Sequence, residues 1–221
     1  MAKKLNFKKA LVLGGSKGLG KAIALHLKKS CTKVHAFSSK DIDTSKIYSV
    51  KKFLSKHKST DVLILNSGGP LPMKFENINE KIWNKYFNQL FLSFCIILKN
   101  LKINNNGYIF FISSSIVKEP NEFLIPSSSL RLAFSSVLKS LSYSFSKRGV
   151  SVISIAPGPF KTGRVKDLIK NLKKFEKTLP TKKIGNPNEV GLLVNSIVNN
   201  KLKYLTGSTI YLDGNTLKGF Y

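Results

Sequence analysis

The chain is poor in acid, in arginine and in long apolar runs. Among 221 residues there are 11 Asp+Glu against 37 Lys+Arg, giving a formal net charge of +26. Only three of those 37 basic residues are arginine: Arg131, Arg148 and Arg164. Proteins that read nucleic acids lean on forked guanidinium contacts, and lysines scattered from end to end make no such surface, so no specific nucleic-acid partner is expected. No apolar run approaches the roughly 18 residues that cross a bilayer, so no membrane partner is expected either. Two cysteines, Cys31 and Cys95, lack metal-ligand or C-x-x-C spacing. Three histidines show no paired spacing, so no metal is expected, and the thiols read as buried and reduced in a cytoplasmic protein.

What is present is a chain long enough for one sizeable core, read as a single domain over residues 1–221. Short apolar strands at 9–13, 33–37, 61–65, 108–113, 151–156 and 208–212 alternate with helical patterns at 18–29, 45–56, 79–101, 127–147 and 187–199. That alternation specifies an α/β fold: a single doubly wound parallel sheet of Rossmann type with helices on both faces. A further helix at about 165–177 falls in a lysine-rich insertion, and residues 161–180 are expected to form a substrate lid. Asn104-Asn105-Asn106-Gly107 and Pro157-Gly158-Pro159 read as loops. The second strand runs almost at once into Asp41-Ile42-Asp43-Thr44, which implies a shortened unit and a trimmed adenine side to any dinucleotide pocket.

The most informative segment is Gly14-Gly15-Ser16-Lys17-Gly18-Leu19-Gly20, between the first strand and the first helix. Such a turn aims unpaired backbone N–H groups and the positive end of a helix dipole at one space, where a pyrophosphate fits. Glycine removes the side chains that would keep the ligand away.

The spacing G-x-x-x-G-x-G resembles that of the short-chain dehydrogenase/reductase family, and the resemblance runs nearly end to end. Asn66-Ser67-Gly68-Gly69 is similar to the family's N-N-A-G, and Pro157-Gly158 with Thr162 to its P-G-x-x-x-T. Thr206-Gly207 and Asp213-Gly214 echo its C-terminal T-G and D-G-G. The resemblance implies that Gly14, Ser16, Lys17, Gly18, Leu19 and Gly20 hold the pyrophosphate. It places Ser38, Asp41, Ile42, Asn66, Ser67 and Gly68 beside the adenosine and its ribose, and Pro157, Gly158 and Thr162 beside the nicotinamide. No acid stands at the end of the second strand before Asp41, while Lys17 and Lys40 can meet a 2′-phosphate. NADP(H) is therefore preferred, with NAD(H) possible.

The chain departs from the family at its catalytic pattern. Counting thirteen residues on from Ser114, where the family places Y-x-x-x-K, gives Ser127-Ser128-Ser129-Leu130-Arg131. Leu90 lies near the expected place of a helical asparagine. Tyr48…Lys52 and Tyr143…Lys147 match the string by chance and sit at the wrong distances. The candidate centre is Ser114, Ser127 and Arg131, with Arg131 also touching the cofactor ribose. A serine hydroxyl is a far weaker acid than a tuned phenol, and an arginine does not relay protons. The resemblance points to the 3-oxoacyl-carrier-protein reductases and so to an enzyme acting on a small-molecule or carrier-bound carbonyl. The alternative is a nucleotide-binding pseudoenzyme with a regulatory or scaffolding role. Phe87, Phe91, Phe94 and Ile97–Leu98 recur at helical spacing, as on the helix through which relatives form homodimers or homotetramers.

Overall fold

A computed structural model describes residues 6–169 and 171–219. Six parallel strands make one sheet: β1 (Phe7–Val12), β2 (Cys31–Ala36), β3 (Ser59–Leu65), β4 (Lys102–Ile112), β5 (Ser151–Pro157) and β6 (Ser208–Leu212). Their order is β2-β1-β3-β4-β5-β6. The chain therefore reverses direction across the sheet between β1 and β3. A crevice opens beyond the carboxyl ends of the strands at such a reversal, and there the open α/β folds bind ligands. β2 is an edge strand because residues 37–46 lead straight to α2 (Ile47–Lys56), with no further strand added on that side among the described residues. This is the shortened unit that the sequence implies.

Both faces of the sheet are covered, so strand residues alternate between two cores. Leu11, Leu13, Leu63, Leu65, Ile109 and Phe111 point to one side. There they meet Phe53 of α2, Phe94 of α4 (Ser93–Asn100), and Phe134 and Leu138 of α5 (Ile125–Ser146). Ala10, Val12, Val62, Ile64, Phe110, Ile153 and Ile155 point to the other side. They meet Ile23 and Leu27 of α1 (Gly18–Leu27), and Val190 and Val194 of α8 (Pro187–Asn199). Burying each large side chain contributes about 1.5–3 kcal/mol, which makes these two layers the main stabilising term.

Three expectations need correction. The long helix expected at 79–101 is α3 (Glu80–Phe87), a π-helical turn (Asn88–Leu92) and α4 in continuous succession. Its phenylalanine stripe enters the core at Phe94, while Phe87 stays at the surface stacked on Phe91 at 5.3 Å. The lid region holds α6 (Gly163–Leu168) and α7 (Leu172–Thr178) rather than one helix, and its Lys170 lies outside the described residues.

Asn104–Gly107 is the third: no connecting loop, it lies inside β4. The ladder with β3 steps from Thr60↔Ile103 to Val62↔Tyr108, so four residues bulge opposite Asp61. Asp61 holds the bulge, accepting from Asn104 Nδ2 at 2.7 Å and from the Lys8 and Lys9 amides at 2.8 Å. A polar run reads as a loop in sequence, but a half-buried carboxylate that can satisfy it keeps it in the sheet.

Candidate active site

The glycine turn joins β1 to α1 at the crevice. Gly14 and Gly18 adopt φ of +59° and +56°, which a side chain disfavours. A Cβ on Gly20 would collide with the Gly14 carbonyl oxygen, and one on Gly14 would lie 2.6 Å from Asn66 Nδ2. The Asn66 amide donates to the Gly14 carbonyl at 3.2 Å, so its side chain braces the turn. Ser16 and Lys17 are exposed at the turn's tip, whereas Leu19 packs inward on the α1 core. The first turn of α1 carries no acid, which leaves its positive dipole end uncompensated. Thr162 closes the far wall: its Cγ2 lies 3.4 Å from where a Gly18 Cβ would stand. Pro157 and Gly158 approach from the end of β5, where the Gly158 amide donates to the Leu212 carbonyl. These surfaces form a cradle that fits the diphosphate of a dinucleotide.

On the adenosine side, the Asp41 carboxylate accepts from the Ser38 amide at 2.8 Å and the Ser38 hydroxyl at 2.7 Å. Those bonds hold its pKa below the ordinary carboxylate range. Ile42 is buried in the core, so only its backbone can face a ligand.

The candidate centre Ser114, Ser127 and Arg131 sits where β3, β4 and α5 meet. The helix starts at Ile125 with Pro126 in its first turn, and Leu124 precedes it without a side-chain cap. Ser127 thus lies inside the helix, one turn before Arg131, and does not cap it. Both are buried, Arg131 at 6 % exposure. The Arg131 guanidinium donates to the Ile112 carbonyl at 2.9 Å, to the Ser67 carbonyl at 2.9 Å and, more weakly, to the Ser113 carbonyl at 3.5 Å. Its Nε donates to Ser127 Oγ at 3.3 Å. Ser127 accepts that bond, which leaves its own O–H directed elsewhere. Burial, reinforced by the Arg164 charge, pulls the Arg131 pKa down to about 10, still a cation at neutral pH. Ser114 follows β4, half-buried. Strand alternation places the neighbouring Ser113 on the face of Ile109 and Phe111, the α5 side, and its buried hydroxyl has no hydrogen-bond partner among the described residues.

Two polar residues of this site were not foreseen. Gln89, on the π-helical turn, donates to the Gly68 carbonyl at 2.7 Å and to Ser67 Oγ at 3.2 Å. Ser67 Oγ also meets Thr44 Oγ1 at 3.2 Å, and Ser93 donates to the Thr44 carbonyl, so the short loop after β2 is knitted to the same network. The extra residue in a π turn swings a side chain out of α-helical register, which no periodicity count anticipates. Arg164 of α6 donates to the Pro70 carbonyl beside Arg131. Its signal was the rarity of arginine itself. Tyr48 and Tyr143, in contrast, are 73 % and 71 % exposed on α2 and on the distal part of α5. Tyr143 lies about 18 Å along the helix from Arg131 at 1.5 Å per residue.

A family model described as enoyl-(acyl carrier protein) reductase matches residues 43–215. The chain belongs to the short-chain dehydrogenase/reductase family. It is 26% identical to a 3-oxoacyl-[acyl-carrier-protein] reductase FabG of Buchnera aphidicola subsp. Baizongia pistaciae, over 93% of this chain and 95% of that protein. It is equally 26% identical to the NADPH-dependent reductase BacG of Bacillus subtilis, covering 95% of this chain and 97% of that one. Among solved structures, YwfH, an NADPH-dependent reductase involved in bacilysin biosynthesis, superposes with a TM-score of 0.83 at 23% identity, covering 97% and 100% of the two chains. A small-chain dehydrogenase in complex with NADPH gives 0.83 at 23% identity over 96% and 100%. Several of the relatives it matches are 3-oxoacyl-carrier-protein reductases. Among the described residues, no helix is long and apolar enough to cross a membrane.

Proposed function

We propose that this chain is a cytoplasmic, NADP(H)-preferring oxidoreductase that interconverts a carbonyl and an alcohol at a centre made of Ser127, Arg131 and Ser114. The observation that carries the reading is the convergence of a glycine-lined cradle at Gly14–Gly20 with a buried serine–arginine pair across one crevice. Gly14, Ser16, Lys17, Gly18 and Gly20 hold the diphosphate. Asn66, Ser67 and Gly68 line the ribose side, and Pro157, Gly158 and Thr162 face the nicotinamide. When bound, the cofactor supplies or accepts a hydride at the substrate carbon.

The chain's own residues then manage charge. The Ser127 hydroxyl donates to the carbonyl oxygen, and the charge of Arg131 stabilises the alkoxide as it forms. Since Arg131 does not release its proton, water reached through the crevice protonates the alkoxide. The preference for NADP(H) is supported by the absence of a free acid at the end of β2. Asp41 is the first acid there, and it is engaged by Ser38. It is supported also by Lys17 and Lys40, and by the NADPH dependence stated for BacG. Phe87 and Leu132, exposed on α3 and α5, support assembly into a homodimer or homotetramer.

One observation favours a second reading. The Arg131 guanidinium is engaged by main-chain carbonyls, as it would be in a binding-only pseudoenzyme. A panel of carbonyl compounds with NADPH, followed by loss of its absorbance, separates the two. Turnover by the natural chain that falls with Ser127→Ala supports the enzyme. No turnover, with activity gained in the Ser127→Tyr/Arg131→Lys double variant, supports the pseudoenzyme. Equal affinity for NADP(H) and NAD(H), unchanged in Lys17→Ala and Lys40→Ala, would overturn the cofactor preference.

A further inference from the structure

The loop that follows β3 is held by side chains, residue by residue. The Asn66 amide donates to the Gly14 carbonyl, Arg131 to the Ser67 carbonyl at 2.9 Å, and Gln89 to the Gly68 carbonyl at 2.7 Å. The first two anchors join parts of the site to one another. The third comes from outside it, from the π-helical turn Asn88–Leu92. Leu90 of that turn is fully buried, which fixes the turn against the interior, and Gln89 is half-buried.

A carbonyl oxygen only accepts, so the Gln89 amide nitrogen must face Gly68, and its second N–H reaches Ser67 Oγ at 3.2 Å. The Ser67 hydroxyl reaches the same Gly68 oxygen at 3.4 Å, too long to hold it alone. Glycine has the widest choice of backbone angles, so the peptide unit after Gly68 turns easily unless something pins it. That unit is planar and trans, so its N–H, on Gly69, points opposite to its C=O. With the carbonyl turned toward Gln89, the Gly69 N–H is turned away from it. This N–H has no hydrogen-bond partner among the described residues, and a Cβ on Gly68 would meet nothing within 4 Å. An unpaired donor therefore adjoins open space at the loop read as the ribose side.

Resting on the oxidoreductase reading above, we propose that Gln89 is a positioning residue of the nucleotide site. By pinning the Gly68 carbonyl it aims the Gly69 N–H at a ribose oxygen of the bound dinucleotide. Both donors of the Gln89 amide are spent on the loop, so it acts through that loop and not on the ligand. The same amide ties in the segment before α2, since Ser67 Oγ meets Thr44 Oγ1 at 3.2 Å and Ser93 donates to the Thr44 carbonyl at 2.5 Å. The segment carrying Ser38, Asp41 and Ile42 and the loop at 66–68 are thus fastened to one helical turn.

The test is calorimetric titration with NADP⁺ of the natural chain, Gln89→Met and Gln89→Glu, with each protein also unfolded in urea. Methionine keeps the length of the side chain without its donors. Gln89→Met should bind about tenfold more weakly, the size of one to two lost neutral hydrogen bonds. Gln89→Glu should be at least as weak at pH 7.5, where a carboxylate faces a carbonyl. As pH falls to 4.5 its carboxyl gains a proton to donate, so its affinity relative to the natural chain should climb above that of Gln89→Met. Relief of charge repulsion alone lifts it to the methionine level and no further, and that result overturns the inference. So does natural affinity in Gln89→Met, and a drop in urea stability alongside it leaves Gln89 a structural role only. Absence of heat with the natural chain overturns the cofactor reading itself and takes the inference with it.

Discussion

Two of the three arginines grip the same strand, one at each end. Arg131, near the start of α5, donates to the Ile112 and Ser113 carbonyls at the carboxyl end of β4. Arg148, just past the end of α5, donates to the Ile103 carbonyl and to Asn105 Oδ1 at the bulge near the other end. The bonds are of one kind, but the surroundings are not. Arg148 is exposed, and water screens its charge at little cost. Arg131 is buried beside a second cation, where the same charge is expensive. A clamp needs donors only, and the lower end of the sheet obtains them cheaply. The cost that Arg148 avoids is borne by Arg131, which is where the proposed reaction centre lies.

The largest contrast is expected from removing each arginine. Arg131→Ala strips hydrogen-bond partners from the Ile112 and Ser67 carbonyls in the interior and should cost about 2 kcal/mol in urea unfolding, along with turnover. Arg148→Ala should cost less than about 1 kcal/mol and leave turnover alone, because water replaces its bonds. Similar losses at both ends would erase the distinction.

Next in size is a pair of glycine replacements. Gly20→Ala and Gly149→Ala both introduce a Cβ into occupied space, against the Gly14 carbonyl in one case and the Asn106 side chain in the other. Gly20→Ala should weaken NADP(H) binding more than about tenfold, since it displaces the turn proposed to hold the diphosphate. Gly149→Ala, at φ +67°, should lower stability by about 1 kcal/mol and leave nucleotide affinity unchanged. Fluorescence titration with NADPH reads the first effect and urea unfolding the second.

The sequence made the sheet, its alternation and its cradle legible because each depends on local chemistry. Strand–glycine–helix order marks β1 and α1, and period-two apolar runs mark the strands. Two failures share a cause in long-range polar contacts. Asn104–Gly107 looks like a loop until Asp61, 43 residues earlier than Asn104, is known to accept its amide. Gln89 looks like a surface residue until the π turn carries it to Gly68. Arg164 is the instructive case. Scarce arginine read as a property of composition, yet two of the three arginines meet at the centre. Where lysine is the default cation, each arginine needs its own explanation.

The smallest effect concerns a lysine at the lower end. Lys203 donates to the Asn106 and Gly107 carbonyls at 2.6 and 3.0 Å and lies 3.5 Å over the Tyr108 ring. Burial, with Lys201 adding to it, pulls its pKa from 10.5 to about 8. A depressed amine pKa means the unfolded chain binds the proton more tightly than the fold does. The burden of that charge is complete below about pH 8 and is relieved as pH rises toward 10.5, so this residue makes stability climb across that window. Lys203→Gln cannot titrate. The difference in unfolding free energy between natural chain and variant should therefore shift in favour of the natural chain as pH rises from 8 to 10.5, and stay flat below pH 8. Arg131 holds its proton over most of this range, because its own pKa is pulled down only to about 10. The lower end can shed its buried charge with a modest rise in pH, whereas Arg131 at the upper end keeps its charge to a higher pH. A flat difference across the whole range would put Lys203 in water and remove the contrast between a cation that discharges near pH 8 and one that keeps its proton to about pH 10.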